Sequence, residues 1–280
     1  MSDMSEKKWY KISMDTQDSL VYLILIILCG AVVIQPLGLP LNVTAETKQY
    51  YETLRNVPEG RVILYDQALM VQSYVTGSEI TQFRIIFDLI RTKHIKFIVL
   101  SSCVDGPLGG AFIEKLLKEG VDLTGTTYGV DYVNLGWLPG FELVLAAVAK
   151  DIQTVTAKDA YGTPISDIPL MKGLKTSDID LFAFSCGVSA DPWMRQWGSL
   201  GKPILMSGGE QLMSLSVQYY KSGLVTGYIN GSRGYAELEQ IYGKYTVATA
   251  LMDATNLVSI YGIALIVLSA TMFWYSRRKK

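Results

Sequence analysis

Eight side chains of chemically useful type fall where strands are expected to give way to helices: Asp66, Cys103, Asp105, Asn134, Cys186, Asp191, Ser207 and Glu210. Cys103 and Asp105 precede Gly106, Gly109 and Gly110, and Asn134 precedes Gly136, Trp137 and Gly140. Cys186 sits with Gly187, Ser189 and Asp191, and Ser207 with Gly208, Gly209 and Glu210. Asp66, followed by Gln67, closes the first strand on the same edge. Open parallel sheets bind ligands beyond the carboxyl ends of their strands. Glycine there lets backbone N–H groups approach a ligand, and the helix macrodipole favours an anionic group. Strand-to-helix turns of any α/β domain also need glycine and a Ser or Asp cap. These eight residues are therefore ligand-binding candidates, and no catalytic role is assigned to any of them.

Specific chemistries can be tested against spacing. The run Met206-Ser207-Gly208-Gly209-Glu210-Gln211 resembles the signature loop of ABC-transporter ATPases. No G-x-x-x-x-G-K-[ST] accompanies it, and without that phosphate cradle ATP hydrolysis is not expected. Gly120 to Thr127 comes nearest and lacks the lysine. Gly106 to Gly110 lies between a strand and a helix, as a dinucleotide loop does, but its spacing is not G-x-G-x-x-G. No cofactor is expected.

Cys103 and Cys186 are the types for a thiol nucleophile, a redox pair or metal ligands. The single histidine, His94, falls at the amino end of a strand, opposite the edge that holds the cysteines. A Cys–His dyad is not expected. A zinc site would have to use Asp105 and Asp191 with two scattered thiols, so no metal is expected either. A disulfide, or two buried thiols packing as small apolar groups, is the default. Asp105, Asp191 and Glu210 are types for acid–base work, yet at helix starts such residues are more often caps. Trp193 and Trp197, four apart on one helix, read as a packed face rather than a carbohydrate platform.

The elements that must position these residues alternate in βαβ fashion. A helix over Ala45 to Arg55 leads to the Pro58-Glu59-Gly60 turn. Strands are expected at 61–65, 95–100, 131–135, 180–185, 203–206 and 224–229, each a mostly apolar run. Ser78 is the expected cap of a helix over 78–92, with Ile80, Phe83, Phe87 and Ile90 on one face. Further helices are expected over 111–119, 140–150, 210–220 and 235–242, the last continuing toward the C-terminal apolar segment, and Asp191 caps a short one. Residues 151–177, with Gly162, Pro164, Pro169 and Gly173, break the rhythm and read as a long surface loop or lid. Continuous apolar strands alternating with helices predict a parallel sheet covered on both faces. The expected fold is α/β, a three-layer Rossmann-like domain of flavodoxin-like or periplasmic-binding-protein-like form.

Two apolar stretches bracket that domain, Leu20 to Ile34 and Leu257 to Tyr275, and neither contains Asp, Glu, Lys, Arg or His. Lys7, Lys8 and Lys11 precede the first; Arg277, Arg278, Lys279 and Lys280 follow the second. A bilayer core needs about 20 mostly apolar residues as helix. Basic flanks on both outer sides predict cytoplasmic termini, with the roughly 210 intervening residues outside the cytoplasm. No A-x-A-like site follows the first stretch, which favours an anchor over a cleaved signal. Trp274 and Tyr275 fit an interfacial aromatic belt. The expected organisation is 1–18 cytoplasmic, 19–41 transmembrane, 42–253 an extracytoplasmic α/β domain, 254–275 transmembrane and 276–280 a cytoplasmic basic tail.

The chain carries 25 Lys and Arg against 26 Asp and Glu, with a mean hydropathy of +0.24 that comes largely from the two ends. The middle is mildly acidic, without a basic cluster, so nucleic acid is not an expected partner. Three cysteines make no disulfide framework. Asn42-Val43-Thr44 and Asn230-Gly231-Ser232 are glycosylation triplets by pattern. The apolar stretches contain no ionisable group to suggest an ion path.

The segments Gly223 to Glu239 and Tyr128 to Gly136 resemble a group of uncharacterised prokaryotic membrane proteins. These pair an α/β domain with a membrane helix directly after the Gly-rich run. The resemblance implies that architecture, and no residue role carries over from it. The expected function is a two-pass cell-membrane binding, sensing or accessory subunit, whose partners are the bilayer, other membrane proteins or its own copies, and a small ligand. The alternative is an ectoenzyme, a hydrolase using cysteine or carboxylates at the sheet edge.

Overall fold

Runs such as Val62-Ile63-Leu64-Tyr65 are apolar on both sides of the pleat, which suits strands covered on both faces. The computed structural model describes residues 14–68, 79–187 and 189–278. The chain divides into two compact units, Pro40–Thr249 and Met1–Leu39 with Ala250–Lys280.

The first unit is α/β. One sheet holds six strands, β1 (Val62–Ala68), β2 (Lys96–Ser101), β3 (Tyr132–Trp137), β4 (Ile179–Cys186), β5 (Ile204–Gly208) and β6 (Gly227–Asn230). Their spatial order is β3-β2-β1-β4-β5-β6, and every neighbouring pair is parallel. The chain starts mid-sheet, builds outward through β3, then returns to lay β4 beside β1 and builds the other way.

The pleat sorts side chains between two helical layers. Val62, Leu64, Ile98, Leu100, Val133, Phe182 and Phe184 share one core with Trp193, Trp197 and Val144. That layer contains α5 (Glu142–Lys150), α6 (Asp191–Trp197) and α7 (Met213–Lys221). On the other face Tyr65 and Phe97 meet Phe83 edge-on, with ring centroids 5.4 and 5.5 Å away. Here lie α2 (Ala45–Arg55), α3 (Ile80–Lys93), α4 (Leu108–Lys115) and α8 (Gly231–Tyr242). Gly227 allows α2 to lie on β6: a Cβ there would come within 2.5 Å of the Tyr50 nitrogen.

Several elements differ from what periodicity predicts. Residues 151–177 do not lie wholly on the surface. They form four short 3₁₀ turns that bury Ile152, Ile165, Ile168 and Met171 in the core. Three-residue turns have no 3.6-residue period, so their apolar contacts are invisible to a helix pattern. α8 does not run on into the C-terminal helix, because Gly243 takes φ 79° and stops it. α4 begins at Leu108 and ends in a π turn over Leu116–Gly120. The helix expected over 210–220 begins as a 3₁₀ turn, Glu210–Leu212. Asp191 is the first residue of α6, whose cap is Ala190. Ser78, the expected cap of α3, lies outside the described residues.

The final helix, α9 (Val247–Arg278), starts in this unit. Its first N–H groups are held by Glu239 of α8, which accepts from the nitrogens of Thr246 at 2.8 Å and Thr249 at 3.0 Å. The hydroxyls of Thr246 and Thr249 bond to the same carboxylate.

The second unit holds α1 (Met14–Ile34) and most of α9. Asp253 of α9 accepts backbone N–H bonds from Leu37, Gly38 and Leu39 at 2.7, 3.0 and 3.1 Å, which fixes the chain just beyond α1. Among the described residues one helix is long and apolar enough to cross a membrane, at Val247–Tyr275; the apolar part of α1, Asp18–Ile34, is shorter.

Candidate functional site

β1 and β4 carry the residues where the strand order reverses, and their alternation sends successive side chains to opposite faces. Asp66 points toward α6. It accepts from the Ser102 nitrogen at 2.8 Å, the Ser102 hydroxyl at 2.6 Å and the Trp193 indole at 2.9 Å. Burial pushes its carboxyl up to about 6, against the pull of Ser102 and then Trp193. Three donors already engage this carboxyl, so Asp66 ties β1, the β2 loop and α6 together.

Cys103 and Cys186 are both buried near Asp66 and are not joined by a disulfide. Burial pushes the Cys103 thiol up to about 11; an N–H bond from Asp105 opposes this, and the charges of Asp105, Asp66 and Glu79 add to it. Cys186 is also raised, by burial first and Asp66 second. A thiol held protonated is a poor nucleophile. His94 ends α3 in a left-handed conformation (φ 51°) at the amino end of β2.

The other sequence-predicted residues disperse. Asp105 is half-buried in the loop beside Cys103. Asn134 gives its amide N–H to Glu114 at 2.7 Å and accepts from the Gly136 nitrogen at 2.9 Å, which shapes the loop after β3. Above that loop Glu114, Trp137, Lys158, Asp159 and Tyr161 line an open groove of about 630 Å³. Its carboxylates are engaged, Glu114 by Tyr161 and Asp159 by Tyr128. Asp191 accepts from the Tyr219 hydroxyl; that bond and Ser189 hold its carboxyl below the usual range. Ser207 lies between Tyr65, at 3.4 Å, and the Phe184 carbonyl, at 3.3 Å. Glu210 is exposed and packs on Gly231, where a Cβ would meet its Cγ at 2.0 Å.

The opposite face of the same strand ends holds a constellation the sequence reading did not assemble. Gln67 of β1 and Ser185 of β4 are register partners and so lie side by side. Glu79, the cap residue of α3, is placed over them and is fully buried. Gln67 donates to Glu79 Oε1 at 3.4 Å. The Ser185 hydroxyl lies close enough to the same carboxyl to pull it down, yet among the described residues Gln67 Oε1, Glu79 Oε2 and Ser185 Oγ are buried without a hydrogen bond of good geometry. Burial pushes Glu79 up to about 7, against the pull of Ser185 and Gln67.

Deeper in this layer Gln82 Oε1 accepts from Tyr50 at 2.6 Å and Tyr65 at 3.0 Å. Among the described residues Gln82 Nε2, the Tyr235 hydroxyl and Asn230 Oδ1 make no hydrogen bond of good geometry, although Ser207 and Gln82 lie close enough to pull the Tyr235 hydroxyl down. Buried polar groups are normally paired, so this concentration is unusual. Glu79 escapes a sequence reading because an acid at a helix start is ordinarily a solvated cap. The usable signal was Gln67 beside Asp66: two polar residues in succession on an otherwise apolar strand present one to each face.

No protein-family model matches this chain and no curated protein matches it.

Proposed function

We propose that this chain is a membrane-anchored binding or sensing subunit whose α/β domain recognises a small polar ligand at the carboxyl edge between β1 and β4. The strand order β3-β2-β1-β4-β5-β6 matches that of a Rossmann-like doubly wound sheet, in which ligands sit where the order reverses. The observation that carries the reading is the set of unpartnered buried atoms on Gln67, Glu79 and Ser185 at that position. Leaving such groups unpaired costs about 1–3 kcal/mol each, a penalty that sites for recognition commonly carry.

In this reading α1 and α9 are both spans, the domain lies outside the cytoplasm, and other membrane proteins or further copies complete the assembly. The apolar stretches with basic residues on both outer sides support that topology. A hydrolase built on Cys103 or Cys186 is less well supported, since burial keeps both thiols protonated.

The test is native mass spectrometry of the full chain purified in mild detergent. A small polar molecule is expected with the wild type and is expected to be lost from Glu79→Gln. An empty wild type that also gains no thermal stability from a panel of small polar metabolites overturns the proposal.

A further inference from the structure

The unpartnered atoms around Glu79 also have a chemical bias. Three of them, Gln67 Oε1, Glu79 Oε2 and Ser185 Oγ, are oxygens able to accept, and they come from two neighbouring strands and the start of α3. We infer that the Gln67–Glu79–Ser185 cluster takes a single positive charge, an alkali cation or the ammonium group of an amine. The inference rests on the binding reading above and gives its ligand a class.

Among the described residues no positive side chain pairs with Glu79. Gln67 and Tyr65 face it from β1, Ser185 from β4, Tyr50 from α2, Tyr235 from α8 and Gln82 from its own helix. The Cys103 thiol lies within electrostatic reach of Glu79, whose charge raises it. Among the described residues neither Glu79 nor Asp66 joins an ion pair. An anionic ligand would therefore meet repulsion, while a cation would compensate a carboxylate that is otherwise expensive to ionise. One carboxylate and two neutral oxygens balance one charge; a divalent ion draws six to eight oxygens and usually several carboxylates.

The same geometry couples binding to proton release. With burial holding Glu79 near 7, an arriving cation favours the ionised form and displaces the proton. Binding should tighten as pH rises through neutrality.

The experiment is thermal unfolding of the full chain in mild detergent at about pH 8 and constant ionic strength, a pH above the raised carboxyl. Tetraethylammonium, too bulky and without N–H groups, is the reference cation. Sodium and potassium form one arm; ammonium and methylammonium form the other. At least one arm is expected to raise Tm saturably, by about 5–10 °C at a hundredfold excess over Kd. The responding arm names the source of the charge, and proton release should accompany the titration in weak buffer. Glu79→Gln should lose the shift. Ser185→Ala, a milder change that keeps the fold testable, should weaken apparent affinity about tenfold.

Equal Tm in all cations overturns the inference, as does a cation response that survives in Glu79→Gln. Stabilisation by acid alone, without a cation effect, does the same and leaves the proton as the only occupant. A neutral or anionic molecule retained by the wild type, without cation response, removes the charge class while the binding reading stands. No ligand of either kind removes both.

Discussion

Glu79 and Asp66 make the folded domain sensitive to pH in a direction opposite to that of most surface carboxylates. Both are raised by burial, to about 7 and about 6 from 4.5 and 3.8. Between the unfolded and folded values the native state therefore binds more protons than the unfolded one. The stabilisation these two carboxyls contribute is fullest below about pH 4 and is lost as pH climbs toward 7. Each carboxyl contributes about 3 kcal/mol of this change. Glu79→Gln should remove its share, flattening the stability profile between about pH 4.5 and 7. In tetraethylammonium buffer at about pH 8 the variant should be more stable than the wild type by up to about 3 kcal/mol. Urea unfolding across that pH range checks this, and a profile parallel to the wild type would contradict it. Trp193 and Trp197 show a different residue-level outcome. Trp193 stacks on Phe184 at 4.7 Å while its indole N–H holds Asp66, and Trp197 donates to the Leu145 carbonyl at 3.1 Å. The expected packed face is present, with both polar tips satisfied inside it.

At the scale of elements, α8 organises its neighbours through alternate acidic side chains. Glu237 accepts from the nitrogen and hydroxyl of Thr44, at 3.0 and 2.7 Å, at the start of α2. Glu239 does the same for the start of α9. A helix start has four N–H groups without intrahelical partners, and a carboxylate placed there also meets the favourable end of the dipole. Thr81, in the first turn of α3, donates to this carboxylate at 3.5 Å. Glu239→Ala is expected to cost about 2 kcal/mol and to release the first turn of α9. Amide exchange at Thr246 and Thr249 should accelerate in that variant, while exchange within β1 and β4 stays unchanged. If protection at Thr246 survived, another group would be capping the helix.

For the whole molecule the expected outcome is a chain threaded twice. A reporter fused after Lys280, and a second fused at Met1, should both be active only on the cytoplasmic side. A C-terminal reporter active outside would remove the two-span reading and leave α9 as a single anchor of opposite orientation. The apolar side chains Ile263, Ile266, Phe273 and Trp274 of α9 are exposed, and under the proposed topology the purified chain is expected to need detergent or lipid around them.

The sequence alone determined most of the element order, because strands and helices announce themselves by local period and composition. The helix over Ala45 to Arg55 and the apolar strands from β1 to β5 were legible for that reason. It also singled out Asp66, since a carboxylate closing an apolar strand is conspicuous. What it did not determine was which loop residues meet. Asn134, Asp191 and Glu210 share the edge with Asp66 yet engage Glu114, Tyr219 and Gly231 instead. Glu79 joins Gln67 and Ser185 only because parallel pairing sets β4 beside β1, more than a hundred residues away in sequence. Strand order and register are long-range facts, settled by how two helical layers close over one sheet. No local pattern encodes them, and they decide which buried polar atoms are left facing one another.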